Sequence, residues 1–158
     1  MRNLVFKKVF LMPAIAFCFL LSQKIYAQNE LLGKWKINRT WVDTVLSGDA
    51  SDQKVAFTFY MNVFSGDTLH AQEFTKKENN MILEMRMNFL ADGKMEMLTR
   101  NPDSLESVQL LYEINAGEKI VSWKKAEGGK GNTYAYELKE GLLYLSNKKK
   151  RMELIKVR

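Results

Sequence analysis

The chain has 158 residues, of which 46% are hydrophobic and 27% charged, with two prolines and nine glycines. That length corresponds to one domain, and the composition excludes disordered and collagen-like chains. A single cysteine and a single histidine exclude a disulfide framework and a zinc site of the usual Cys/His type.

Residues 1–27 read as a cleaved secretory signal peptide, which leaves 28–158 as a single domain. Arg2, Lys7 and Lys8 form a basic start, residues 9–21 carry no charge, and Ala27 is small enough for the signal-peptidase site. The uncharged run spans only about 20 Å as a helix, short of a hydrocarbon core of about 30 Å, so a transmembrane anchor is not expected. Cys18 follows Phe17 inside the apolar run and is not placed as a lipidation site. The expected location is therefore the periplasm or the outside of the cell.

The formal net charge of +6 overstates the basicity of the folded part. Removing Arg2, Lys7, Lys8 and Lys24 from the 24 basic residues leaves a surplus of two over the 18 acidic ones. Such a balance does not demand a nucleic-acid footprint, and no nucleic acid is expected as a partner. No cysteine remains after Ala27, so stability must come from the core.

Past the signal the hydrophobic pattern has mostly period two, broken by Gly and Asn/Asp turns. In 33–41, Trp35, Ile37 and Trp41 share one face. Residues 43–52 form a polar loop. Its Asp43, Asp49 and Asp52, with Ser47, have oxygen ligands for calcium but not the EF-hand spacing, so no metal is expected. Residues 55–64 fit both periods. Val55, Phe57, Phe59, Met61 and Val63 alternate as a strand, whereas Ala56, Phe59, Tyr60 and Val63 make a helical stripe behind a Ser51 or Asp52 cap. Aromatic and β-branched enrichment favours the strand. Asp67 is the expected cap of a short helix ending at Asn79-Asn80.

From Met81 the alternation predicts strands. Met81, Leu83, Met85, Met87 and Phe89 lie on one face, and Met95 and Met97 follow the turn at 91–93. Parity decides the loop length. A three-residue loop sets Phe89 opposite Met95 and Met87 opposite Met97, with Gly93 left-handed at a bulge. Residues 100–106, with Pro102, read as a loop. Val108, Leu110, Tyr112 and Ile114 then share a face with Val121 and Trp123 beyond a turn at 115–118. After the Gly-rich loop 127–131 come Tyr134, Tyr136 and Leu138, the turn Glu140-Gly141, Leu143 and Leu145, and a last strand over 152–158. Seven hairpin strands after residue 81, preceded by one or two others, predict an all-β fold. The expected architecture is a small antiparallel up-and-down barrel with one short helix possible, which leaves no edge unpaired.

The segment Leu31-Leu32-Gly33-Lys34-Trp35 resembles the Gly-x-Trp opening of lipocalins. Phe89 to Lys94 resembles the Phe-x-x-Asp-Gly hairpin of lipocalin-like domains in secreted bacterial proteins, and 141–145 with 152–156 resembles their closing hairpin. The Thr-Asp-Tyr motif of true lipocalins is absent. The resemblance implies a lipocalin-like barrel whose floor is closed by Trp35, with a late arginine, Arg151 or Arg158, packed on it by cation–π contact.

No catalytic constellation emerges. His70 is the only imidazole, no Gly-x-Ser-x-Gly elbow exists, and an enzyme is not expected. Gly128-Gly129-Lys130-Gly131 lacks the spacing of a phosphate loop, and the 148–151 run of three lysines and an arginine reads as a solvated turn. Met81, Met85, Met87, Met95 and Met97 on one hairpin offer thioethers for Cu(I), but Met more often fills irregular apolar space. An inward face of Met85, Met87, Tyr112, Trp123, Tyr134 and Tyr136 instead suggests a binding wall for a small apolar or amphipathic ligand in a monomeric protein, without a cofactor. The competing reading is a filled barrel serving as a structural or protein-interaction module of the cell envelope.

Overall fold

The computed structural model describes residues 26–101 and 104–157. The expected signal segment up to residue 25, with Cys18, lies outside the described residues, as do Pro102 and Arg158. Nine strands run in the order β1 (Gly33–Val42), β2 (Val45–Asp49), β3 (Arg86–Phe89), β4 (Lys94–Asn101), β5 (Ser104–Asn115), β6 (Ile120–Lys125), β7 (Asn132–Lys139), β8 (Leu142–Ser146) and β9 (Lys150–Lys156). From β3 onward each strand pairs antiparallel with the next, and β9 returns to β1. β1 and β3 to β9 thus close an eight-stranded antiparallel barrel. The seven strands expected after residue 81 are all present.

Turn chemistry fixes the registers. Phe89 faces Met95 and Met87 faces Met97 across a three-residue loop, with Gly93 at φ +76°. Glu140 and Gly141 both have positive φ, at 55° and 78°, the mark of a two-residue type I′ hairpin. That turn sets Leu138 opposite Leu143 and Tyr136 opposite Leu145.

Several expectations are corrected. The expected polar loop at 43–52 contains strand β2, with Ser47 and Asp49 buried. Residues 55–64 are not a strand. Helix α1 (Lys54–Val63) occupies them, with the Asp52 carboxylate accepting the Lys54 N–H at 3.0 Å. The helical stripe prevails because it buries Ala56 and sets Tyr60 against Phe74 at 5.5 Å. Helix α2 (Thr68–Glu84) starts at the expected Asp67 cap but runs past Asn79-Asn80. Met81 therefore belongs to α2, Leu83 is 38% exposed, and β3 begins only at Arg86. Ala71, Glu78 and Ile82 form a buried helical stripe that outweighs the period-two pattern of the methionines. The expected loop 100–106 is also shorter, since β4 and β5 pair as far as Asn101 opposite Ser104.

The interior is apolar. Trp35, Ile37, Met87, Phe89, Met95, Tyr112, Val121, Trp123, Leu143, Leu145 and Leu154 belong to one buried cluster. A helical segment at 26–31 closes the end where Gly33 pairs with Phe89. Its Ala27 and Leu31 are buried, and the Gln28 amide donates to the Ala91 carbonyl at 2.6 Å. Trp35, only 2% exposed, donates its indole N–H to the Leu31 carbonyl at 2.7 Å and so ties this segment to the core. Among the described residues the cation above Trp35 is Lys156 rather than Arg151, its Nζ 5.2 Å from the ring centroid. Arg151 pairs with Trp41 on the outer face of the barrel, so its side chain cannot reach the floor.

Trp35→Ala removes this buried ring and its hydrogen bond. The expected loss is about 3–5 kcal/mol of stability, measured by denaturant unfolding. A change below about 1 kcal/mol would contradict the floor assignment.

Candidate functional site

The opposite end of the barrel is built differently. Beyond the Arg86–Leu98 pair β3 no longer covers β4, and β2 takes the place beside β1. No strand joins β2 to β4. Helix α2 occupies that gap and packs against β1, β2 and β4. Gly48 makes the close approach possible, because a Cβ there would collide with Ile82 and lie 2.8 Å from Thr40 Oγ1.

The contact between α2 and the barrel is polar at its centre. Glu78 is 7% exposed and accepts a 2.6 Å hydrogen bond from Thr40 Oγ1. Thr40 and Ser47, both fully buried, are 3.1 Å apart through their hydroxyls. The Tyr60 hydroxyl donates to Glu78 Oε2 at 3.4 Å, and Lys150 Nζ lies 3.5 Å from Oε1. Around Tyr60, Phe64 stacks at 6.1 Å and Phe74 tilts at 5.5 Å, which joins α1 to α2. Burial, then the Glu78 charge and hydrogen bond, push the Tyr60 phenol up to about 12.

Beside this contact a cleft of about 600 Å³ opens between α2 and β4. Met81, Met85 and Thr99 line it together with Glu73, Lys76, Lys77 and Asn80. Lys77 is held by Glu73 at 2.6 Å and lies over the Phe74 ring, whereas Lys76 has no ion-pair partner among the described residues. The cleft thus combines two thioethers with a free ammonium, the chemistry of a site for an amphipathic anion.

The six residues singled out from the sequence do not meet in one open cavity. Met85 lines the mouth cleft. Met87 is buried in the core. Trp123 stacks on Tyr134 at 4.9 Å and 12°, Trp123 being buried and Tyr134 half-buried. Tyr112 points to the closed end, donating to the Leu90 carbonyl at 2.8 Å. Tyr136 is buried and borders a dent reached from outside the barrel. The five methionines are divided between helix and sheet, because Met81 lies in α2 and Met85 caps it. Glu78 escaped the sequence reading. Its only signal is a charge four residues before Ile82 and seven after Ala71, within the buried stripe.

Other candidates take plain structural places. Asp49 accepts from the Ser51 N–H and hydroxyl and pairs with Arg39 at 2.8 Å. His70 is exposed and sits 2.7 Å from Asp67, the helix cap, whose hydrogen bond and charge raise the imidazole pKa. Among the described residues no cluster of His, Cys, Asp and Glu could hold a metal ion, and no helix is long and apolar enough to cross a membrane.

Two solved bacterial structures are similar in fold. One is a DUF4847 family protein from Bacteroides vulgatus ATCC 8482, with a TM-score of 0.51 and 13% identity, covering 78% of this chain and 91% of that one. The other is an uncharacterized protein from Bacteroides eggerthii DSM 20697, with a TM-score of 0.48 and 11% identity, covering 80% and 98%. At such identity the first likeness speaks for the fold alone. No family model matches the chain, and no curated protein matches it.

The Tyr60 contact gives a pH prediction. A phenol pKa raised from 10.0 to about 12 means that the fold favours neutral Tyr60. This contribution is complete below pH 10 and is lost as the pH rises towards 12. Alkaline melts should therefore show stability falling through that window, and Tyr60→Phe should remove this part of the loss. Identical alkaline slopes for the two proteins would refute the coupling.

Proposed function

We propose that this protein is an exported, non-enzymatic, lipocalin-like binding protein whose ligand is a small amphipathic anion held in the cleft between α2 and β4. The observation that carries the reading is the cleft itself. Its volume of about 600 Å³ suits a small molecule. Met81 and Met85 supply a soft apolar wall that adapts to an alkyl chain. Lys76 supplies the charge for a carboxylate head, and Asn80 and Thr99 supply hydrogen-bonding groups beside it. Export is supported by the basic start, the uncharged run and the small Ala27 in the first 27 residues; cleavage behind Ala27 keeps Gln28 and Leu31, the residues whose hydrogen bonds tie the helical segment to the barrel.

The large buried core cluster supports a second reading, an envelope module with no ligand. Titration with a fluorescent fatty-acid probe separates the two. On the binding reading the probe saturates the wild-type protein, Lys76→Glu weakens it about tenfold, equivalent to about 1.4 kcal/mol, and Met85→Asp abolishes it with the fold intact by circular dichroism. A folded wild-type protein that takes up no probe and carries no co-purifying ligand in native mass spectrometry would leave the envelope module.

A further inference from the structure

The outer face of the barrel carries a second concavity, far in sequence from the mouth cleft. Cross-strand register explains it. One outward row runs through Trp41, Arg151, Ser146, Ala135 and Ile120, each paired with the next. Large side chains occupy its ends, but Ser146 and Ala135 are small, and the row sinks between them. The next row places Glu153, Tyr144 and Glu137 side by side. The result is a dent of about 420 Å³ bordered by Arg151, Tyr144, Ser146, Ala135, Glu137 and, from the β5–β6 turn, Lys119.

The charges around it are arranged rather than scattered. The Arg151 guanidinium lies 4.5 Å from the Tyr144 ring centroid and 5.4 Å from that of Trp41. These cation–π contacts hold the guanidinium without using its N–H groups in any hydrogen bond or ion pair among the described residues. No carboxylate pairs with Arg151 among the described residues. The acid of the neighbouring row, Glu153, is 6% exposed and already accepts from the Asn38 amide at 2.6 Å. Lys119 is fixed across the dent by its own backbone, with φ at 51° and its carbonyl accepting the Tyr136 N–H at 2.7 Å. The Ser146 hydroxyl makes no hydrogen bond among the described residues.

We propose that this dent binds a sugar acid of the hexuronate type, with its carboxylate between Arg151 and Lys119 and its ring hydroxyls on Ser146 and Glu137. Two cations and one carboxylate leave the lining with a single positive charge, which a monocarboxylate neutralises. The bidentate fork of an arginine fits the planar carboxylate. Glu137 repels a more highly charged anion such as phosphate, but accepts hydrogen bonds from hydroxyls.

Isothermal titration of the full chain with glucuronate tests this, with glucose, acetate and inorganic phosphate as comparators. Glucuronate should bind at least about tenfold tighter than any of the three. Ala135→Phe should fill the dent and abolish binding without unfolding the barrel, because an aromatic side chain is well tolerated on a strand surface. Arg151→Gln and Lys119→Gln should each weaken glucuronate about tenfold or more. Glu137→Gln should weaken glucuronate yet tighten acetate, a reversal that mere loss of structure cannot give. Because Arg151 is stacked between rings, its variant is read only if its melting temperature matches wild type; Lys119→Gln and Glu137→Gln decide the matter otherwise. Equal binding of glucose and glucuronate, no binding of glucuronate, or tight binding that survives Ala135→Phe would each overturn the proposal.

Discussion

The fold depends on how strand β1 divides its edges. One edge pairs with β9 from Trp35 to Val42 and closes the barrel. The other is shared, with Gly33 to Lys36 on β3 and Arg39 to Val42 on β2. Backbone donors and acceptors buried in a sheet must find partners, so every position of β1 has to be covered on both sides. The register of β1 shifts between Ile37 and Arg39 against β9 and between Thr40 and Trp41 against β2. Because β2 and β3 cannot both extend over the same length of β1, the barrel wall parts between β2 and β4. The long helix fills that opening, and the mouth cleft is the space it leaves.

Filling a gap in a sheet with a helix poses a polar problem. Strand residues at the gap, such as Thr40 and Ser47, turn hydroxyls inward where water cannot reach them. Buried polar groups left unpaired cost roughly 1–3 kcal/mol each. Glu78 answers this by accepting from Thr40, but brings a carboxylate into the same place. Lys150 at 3.5 Å and the Tyr60 hydroxyl supply its counter-charge and a further donor. Helices and barrel are therefore joined by one connected polar network as well as by the apolar side chain of Ile82, and loss of one member leaves the others unsatisfied. The aromatic contacts of Tyr60, Phe64 and Phe74 carry the same constraint outward to α1.

The two faces of the sheet serve different ends. Inward, large residues pack from the 26–31 segment up to Met87 and Trp123, and the mouth cleft opens where the wall parts. Outward, the size of side chains along a single cross-strand row decides the relief. Ser146 and Ala135 lower the surface between Arg151 and the Lys119 turn, and the stacked rings of Trp41 and Tyr144 stiffen its cationic side. Both concavities thus arise from strand pairing rather than from a dedicated loop.

Much of the barrel was legible in the residues alone, because its determinants are local. Alternation from Leu110 to Leu145 sets the faces, Gly93 and Gly141 permit left-handed turns, and the parity of Phe89 and Met95 fixes a loop length. Asp67 announces its helix through a side chain that caps the next backbone amides. The floor tryptophan was readable as well, but not its cationic partner, since Lys156 reaches Trp35 only through the β1–β9 pairing. Residues 55–64 satisfy both periods, so local propensity could not choose between helix and strand. The choice fell to the tertiary structure, in which the helical stripe buries Ala56 and sets Tyr60 against Phe74 and Glu78. The same holds for the sites. The sequence marks the aromatic and methionine residues of the interior, but whether they enclose space depends on packing. Glu78 beside Thr40 and Lys150, and Arg151 between Trp41 and Tyr144, join residues distant in the chain, and only closure of the barrel brings them together.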